Sequence, residues 1–224
     1  MGDEDRLPAY LLAGGRSRRF GTDKALVAVD GRPQLLQLID QLSHDEAGRL
    51  RPVHIVADAP DRYQQLGLDC LVDTIPGGGP VAGLATALDH RIEHYGPGWL
   101  LLVPCDQLLW DPTWEAALKS GRRPTVGGVL FGAQPSPHNP PSPHRMNAPP
   151  SAWSADAKKF HPLPGLYHTR LRPTVAARLH ASSCGSLQSL VDDSSCAIVP
   201  TTTLPDQLSF NNQQELAALR HRRT

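Results

Sequence analysis

No apolar run in this sequence approaches the ~20 residues that a membrane-spanning helix requires. Nor is charge of one sign in excess. The 22 lysines and arginines equal the 22 aspartates and glutamates, so the formal net charge is zero. A bulk electrostatic binder of nucleic acid or anionic lipid needs a positive surplus, and the sequence predicts neither partner. Cysteine is sparse and unpatterned. Cys70, Cys105, Cys184 and Cys196 form no C-x-x-C pair and have no histidine at zinc-ligand spacing. They read as reduced thiols of a cytoplasmic protein. The ten histidines are scattered, with His138 and His144 in a proline-rich tract, and suggest no metal cluster. The opening MGDEDRLPAY is acidic and polar, unlike a secretory signal. Arg6 stands where a myristoylation motif carries Ser or Thr.

What is present is alternation. At 224 residues the chain suits one α/β domain, residues 1–224, with room for a sizeable core. Strands are predicted at Ala9–Leu12, Val53–Ala57, Cys70–Val72 and Trp99–Val103. Helices are predicted at Pro33–Ser43, Arg62–Leu66 and Val81–His90, and another after the Asp111-Pro112 start signal. In the first helix Leu35, Leu38, Ile39 and Leu42 fall at i, i+3, i+4 and i+7. Such alternation predicts a three-layer α/β fold, a mostly parallel central sheet with helices on both faces. Ligands of such sheets bind at the carboxyl ends of the strands. The second half is less regular. Strands are predicted at Thr125–Phe131, Leu163–His168 and Cys196–Val199, and helices at Pro173–His180, Ser186–Val191 and Asn212–Arg220. Between the first two of these strands, residues 132–157 are rich in proline and serine without apolar periodicity. They read as a flexible surface insertion.

The most informative stretch is LLAGGRSRRFGTDKAL, Leu11 to Leu26. A short apolar strand is followed by three glycines, three arginines and a lysine. Glycine lets backbone N–H groups approach phosphate oxygens, and the cations neutralise them. The loop has neither the G-x-x-x-x-G-K-S/T spacing of a P-loop nor the G-x-G-x-x-G of a dinucleotide fingerprint. A second signal is Pro104-Cys105-Asp106, which sets a carboxylate at the end of the strongest apolar strand. Magnesium takes one or two carboxylates and completes its shell with substrate phosphates and water, and Asp106 suits that role. A third is Asp73-Thr74-Ile75-Pro76-Gly77-Gly78-Gly79-Pro80-Val81-Ala82-Gly83, a glycine-rich loop opening a helix.

Gly14-Gly15-x-Ser17-x-Arg19-Phe20-Gly21-x-Asp23-Lys24 resembles the L-A-G-G-x-S-x-R-M-G-x-D-K loop of the molybdenum cofactor guanylyltransferase family, with Phe20 for Met. Pro104-Cys105-Asp106 is similar to its P-C-D segment. The loop from Asp73 resembles a segment ending G-P-L-A-G, with Val81 for Leu. Phe210-Asn211-Asn212-Gln213-Gln214-Glu215-Leu216 resembles N-x-N-T-P-E-E/D-L, with Asn211 on the second Asn and Asn212-Gln213 replacing Thr-Pro. His161-Pro162 and Gly165-Leu166-Tyr167 resemble the family's strand after its variable region. Ala57-Asp58 departs from the Asn that guanylyltransferases often carry there. The resemblance implies a Rossmann-like nucleotidyltransferase fold and transfer of GMP from GTP to the terminal phosphate of molybdopterin, with Mg²⁺. It implies Lys24, Arg19 and Asp106 as catalytic residues, with Asp106 on the metal. Leu12, Ala13, Gly14, Gly15, Lys24, Asp73 and Asp106 would bind nucleotide, and Gly79 and Asn211 would meet substrate. Asp23 would position Lys24. GTP and molybdopterin would be the partners, with molybdoenzymes or cofactor-delivery proteins downstream. A cytidylyltransferase, a sugar-phosphate nucleotidyltransferase and a non-catalytic nucleotide-binding homologue are the alternatives.

Overall fold

The computed structural model describes residues 7–14, 21–73, 75, 77–111, 113–133, 160–180, 186–192 and 194–221. Its strands are β1 (Ala9–Leu12), β2 (Ala28–Val29), β3 (Arg32–Pro33), β4 (Val53–Ala57), β5 (Cys70–Val72), β6 (Trp99–Pro104), β7 (Gly128–Ala133), β8 (Phe160–His168) and β9 (Cys196–Thr201). The helices are α1 (Gln34–Leu42), α2 (Gly79–Tyr95), α3 (Thr113–Ser120), α4 (Arg172–His180), α5 (Leu187–Asp192) and α6 (Gln213–His221). Seven strands form one sheet in the order β5-β4-β1-β6-β8-β7-β9, and β2 and β3 form a small separate hairpin. Within the seven-stranded sheet β8 runs antiparallel to β6 and β7, while the sheet's other pairings are parallel. The sheet is therefore mostly parallel.

Alternate strand residues feed two cores, because successive side chains point to opposite faces. Leu11, Ile55, Leu101, Val103, Val129 and Phe131 pack with Leu35, Leu38 and Leu42 of α1 and Trp114 and Leu118 of α3. Tyr10, Val56, Leu100, Leu102, Leu130 and Tyr167 pack with Val81, Leu84 and Leu88 of α2, Val175 of α4 and Leu187 and Leu190 of α5. Coverage on both faces explains why β6 reads as an unbroken apolar run.

Several boundaries differ from expectation for physical reasons. Strand β7 continues through Gly132 and Ala133, which composition assigned to the insertion. Their backbones pair with Pro200 and Thr201 of β9, so the strand reaches Ala133. Residues 134–157 of that expected insertion lie outside the described residues. Helix α2 runs to Tyr95 rather than stopping at His90. Its buried Arg91 donates from Nε to the Trp99 carbonyl at 3.2 Å and from Nη1 to the Gly96 carbonyl at 2.6 Å. A charged residue there breaks the apolar pattern that the sequence shows, yet it anchors the helix end. The expected helix at Arg62–Leu66 is a single 3₁₀ turn, Gln64–Leu66.

Candidate active site

Strands β1 and β6 are neighbours, with Leu12 opposite Pro104 and the Cys105 amide donating to the Leu12 carbonyl at 3.0 Å. The chain leaves β1 toward β4 on one side and leaves β6 toward β7 on the other. The crevice at their carboxyl ends is the switch point at which ligands bind in open α/β sheets. Gly14 follows β1 and Asp106 follows β6, so two distant motifs meet there.

Lys24 enters the crevice on a 3₁₀ turn, Lys24–Leu26. Asp23 caps this turn, its Oδ1 accepting from the Ala25 amide at 3.0 Å, while the Ala25 side chain is buried in the core. Lys24 Nζ lies 3.1 Å from Asp106 Oδ2 and 2.9 Å from Asn211 Oδ1. The Lys24 side chain is 13% exposed and that of Asp106 26%. The cluster is shielded but open to solvent on one side.

Asn211 arrives from the far end of the chain. The Leu108 amide donates to the Leu208 carbonyl at 2.8 Å, and the Phe210 amide to the Asp106 carbonyl at 3.1 Å. Beneath them Val29, Leu108, Phe210, Leu216 and Leu219 form a small separate core. Buried apolar side chains of this size stabilise by about 1.5–3 kcal/mol each, enough to hold α6 and its leading residues on the loop after β6. The cap of α6 is Asn212, the residue after Asn211. Asn212 Oδ1 accepts from the Glu215 amide at 2.9 Å, and Glu215 reaches back to the Asn211 amide at 2.6 Å. Asn212 takes the cap, which leaves the Asn211 side chain for Lys24.

The glycine loop divides. Gly15 and Arg19 lie outside the described residues. The Ala13 amide, expected to hold nucleotide, donates instead to the Val56 carbonyl at 2.9 Å. That N–H continues the β1–β4 ladder and is taken. A Cβ on Gly14 would stand 3.0 Å from the Asp58 nitrogen and 3.2 Å from Ala57 backbone. Glycine there lets the loop cross tightly over the end of β4. Leu12 is half-buried, and a Cβ on Gly83 would come within 2.6 Å of its Cδ2, so Gly83 brings α2 close to β1. Gly79, the first residue of α2, has φ +63°, a left-handed conformation that favours glycine.

Asp73 follows β5, its amide bonded to the Ala57 carbonyl at 2.9 Å. Its Oδ1 is buried and has no hydrogen-bond partner among the described residues. Burial first, and then the Asp58 carboxylate, push its carboxyl up to about 6; the nearby Thr86 hydroxyl pulls the other way without closing a hydrogen bond. An acceptor left buried without a donor is costly. Cys105, beside Asp106, has its thiol pushed up to about 12 by burial and by the Asp106 and Asp23 carboxylates. That shift favours the neutral thiol.

Sequence reasoning missed Arg62, Tyr63 and the part Asp58 plays. Arg62 pairs with both Asp23 and Asp58, and the buried Tyr63 hydroxyl donates to the Ala13 carbonyl at 2.7 Å. Their segment, Asp61-Arg62-Tyr63-Gln64, is locally polar and carries no motif. Only the fold brings it to the loop.

Among the described residues no group of three or more His, Cys, Asp or Glu side chains is placed to hold a metal ion. The donors on offer are the Asp106 carboxylate and the Asn211 amide oxygen, converging on one ammonium. Two hard oxygens at one cationic position fit an ion such as Mg²⁺ that draws its other ligands from phosphate and water.

The family profile described as MobA-like NTP transferase domain matches residues 9–196. A molybdenum cofactor guanylyltransferase of Rhizobium meliloti is 30% identical over 211 residues, covering 91% of this chain and 85% of the relative. A probable molybdenum cofactor guanylyltransferase of Deinococcus radiodurans is 33% identical over 175 residues, covering 78% and 74%. The crystal structure of molybdopterin-guanine dinucleotide biosynthesis protein A from Archaeoglobus fulgidus is 14% identical and covers 96% of this chain and 97% of that one, with a TM-score of 0.70. At that identity the likeness is one of fold. The sequence match runs from the first residue of β1 to the first of β9, across both strands that frame the crevice: the chain belongs to the MobA-like NTP transferase domain family and is a nucleotidyltransferase.

Proposed function

We propose that this nucleotidyltransferase joins the GMP moiety of GTP to the terminal phosphate of molybdopterin and releases pyrophosphate. The observation that supports this most directly is the meeting of Lys24 Nζ with Asp106 and Asn211 at the carboxyl end of the sheet. The names of the 30% and 33% identical relatives support the choice of GTP and molybdopterin.

The attacking group is a phosphate monoester with a second pKa of about 6, so it is mostly ionised at neutral pH. No side chain has to remove a proton. A phosphate oxygen of molybdopterin bonds to the α-phosphorus of GTP. The bond from that phosphorus to the β-phosphate oxygen breaks, and pyrophosphate leaves with the electron pair. Alignment and charge neutralisation are what the protein supplies. Lys24 would turn from Asp106 and Asn211 to the α- and β-phosphate oxygens, and Arg19 would meet the β- and γ-phosphates. Gly14 and Gly15 would border the phosphates, Leu12 and Asp73 the nucleoside. Asp73 Oδ1 offers the acceptor that a nucleotide donor would satisfy. Gly79 and Asn211 would line the acceptor side. Asp106 would hold Mg²⁺ together with substrate phosphates. When bound, that ion supplies Lewis-acid polarisation of the α-phosphate. We place the reaction in the cytoplasm, where GTP is at hand, with molybdoenzymes or delivery proteins taking the product.

The test is pyrophosphate release with Mg²⁺ and metal-loaded molybdopterin, run in parallel with GTP, CTP and ATP. Release with GTP is the expected result. Release with CTP alone would overturn the base assignment, and silence with all three despite nucleotide binding would overturn the acceptor or the catalysis itself.

A further inference from the structure

Asp23 holds the turn that presents Lys24, but a carboxylate on a loop needs holding in turn. Its Oδ2 accepts from Arg62 Nε at 3.0 Å and from Arg62 Nη2 at 2.9 Å, and lies 3.1 Å from the Tyr63 hydroxyl. That hydroxyl has one proton and a shorter contact, 2.7 Å, to the Ala13 carbonyl. The phenol therefore fastens the end of β1, and the carboxylate depends on Arg62. The third guanidinium nitrogen, Nη1, pairs with Asp58 after β4. Arg62 thus bolts the lysine turn to the β4–β5 connection, across 39 residues of sequence.

We infer that Arg62 is a positioning residue for the transfer reaction, acting through Asp23 to set Lys24 against Asp106 and Asn211. The inference rests on the proposed role of Lys24. Both guanidinium edges face protein carboxylates, with the side chain 23% exposed, so the group acts on the loop rather than on substrate. A lysine cannot replace it, because one ammonium does not reproduce the fork that grips Asp23 while also reaching Asp58.

The test is a double-mutant cycle on the full chain with two readouts. The first is kcat for pyrophosphate release with GTP. The second is the rate at which Lys24 is acylated by a small water-soluble ester without nucleotide, read by mass spectrometry. Arg62→Ala and the isosteric Asp23→Asn each lower kcat roughly 10- to 100-fold, the scale of a ~1 Å misplacement, with a smaller change in KM. Each also speeds acylation of Lys24. The double variant matches the worse single variant within about a factor of two, because both changes break one linkage. Arg62→Lys stays nearer to Arg62→Ala than to the wild type. Multiplying losses in the double variant would mean that Arg62 meets substrate itself, and unchanged acylation would mean that it does not act on Lys24; either overturns the inference. Should Arg62→Ala fail to fold, Asp23→Asn and Arg62→Lys carry the same comparison. A wild type that releases no pyrophosphate while the acylation pattern holds would overturn the proposed reaction and leave this linkage standing.

Discussion

Two ion pairs at opposite ends of the sheet use similar groups for different ends. At the amino end Arg51 Nη1 meets Glu115 Oε2 at 2.9 Å, with the side chains 3% and 2% exposed. Arg51 also donates to the carbonyls of Leu42 and His44 at 2.7 and 3.0 Å, and Lys119 reaches Glu115 Oε1 at 2.8 Å. The pair is buried, and the contacts it makes among the described residues are to protein atoms. At the carboxyl end, Lys24 and Asp106 are partly open, and their partners are ones that phosphate and a cation can replace. The difference is one of burial: the Arg51–Glu115 pair ties the end of α1 and α3 to the sheet, while the Lys24–Asp106 pair is the one that the proposed reaction would open to a ligand. A buried pair adds little net stability, yet breaking it is costly because one charge is left stranded.

Substitution should divide the two ends cleanly. Lys24→Ala is expected to lower turnover by about 10³-fold, the upper scale for losing one group that stabilises developing charge. Its melting temperature should stay close to wild type in calorimetry. Glu115→Ala should do the reverse, destabilising by about 3–5 kcal/mol in urea unfolding while the folded fraction keeps its turnover. Equal losses of both properties in either variant would erase the distinction. A finer version sets two adjacent asparagines against each other. Asn211→Ala should cost about tenfold in turnover, the effect of one modest hydrogen bond to a charged group. Asn212→Ala should cost about 1 kcal/mol of stability through its helix cap and little turnover.

The pH dependence of stability sharpens the same contrast. Asp73, at the carboxyl end, holds its proton up to about 6 against an ordinary 3.8. The folded state binds that proton more tightly than the unfolded chain, so Asp73 lowers stability as pH rises from 3.8 through 6. Asp73→Asn should therefore raise the melting temperature near pH 8, with a gain that fades by about pH 4, while activity falls. His54, at the amino end, is pulled from 6.5 down to about 4 by burial and then by His90 and His94. The sign is opposite: its contribution is full above 6.5 and is lost as pH falls toward 4. His54→Gln should flatten the acid side of the stability curve. Identical curves for the two variants would contradict these environments.

The elements most legible beforehand were those with strong local signals. Strand β6 is a run of apolar residues, α1 has its leucines on one face, and β1 ends in glycines. The pairing of β1 with β6 set Gly14 and Asp106 at the same end of the sheet, where strand-end reasoning looks for a ligand. Less legible were elements whose stability is tertiary. The hairpin of β2 and β3 is too short for periodicity to register, and the end of α2 depends on Arg91 bonding to carbonyls beyond the helix. The Ala13 amide looked available because sequence does not reveal a ladder partner.

Sequence by itself determined the chemistry on offer: a glycine loop with Asp23 and Lys24, a carboxylate at Asp106, an acidic strand end at Asp73, and an alternation that folds into a mostly parallel sheet. Local spacing carries that much because backbone conformation and side-chain charge are local properties. Tertiary structure alone decided which of these groups meet. It set Asn211 on Lys24 through a small apolar core under the C-terminal segment, gave the helix cap to Asn212, closed the Ala13 amide into the β1–β4 ladder, and tied Asp23 to Arg62. Those outcomes depend on which strands are neighbours and on where each hydrogen bond finds its partner. That is a property of packing in three dimensions, which sequence spacing does not encode.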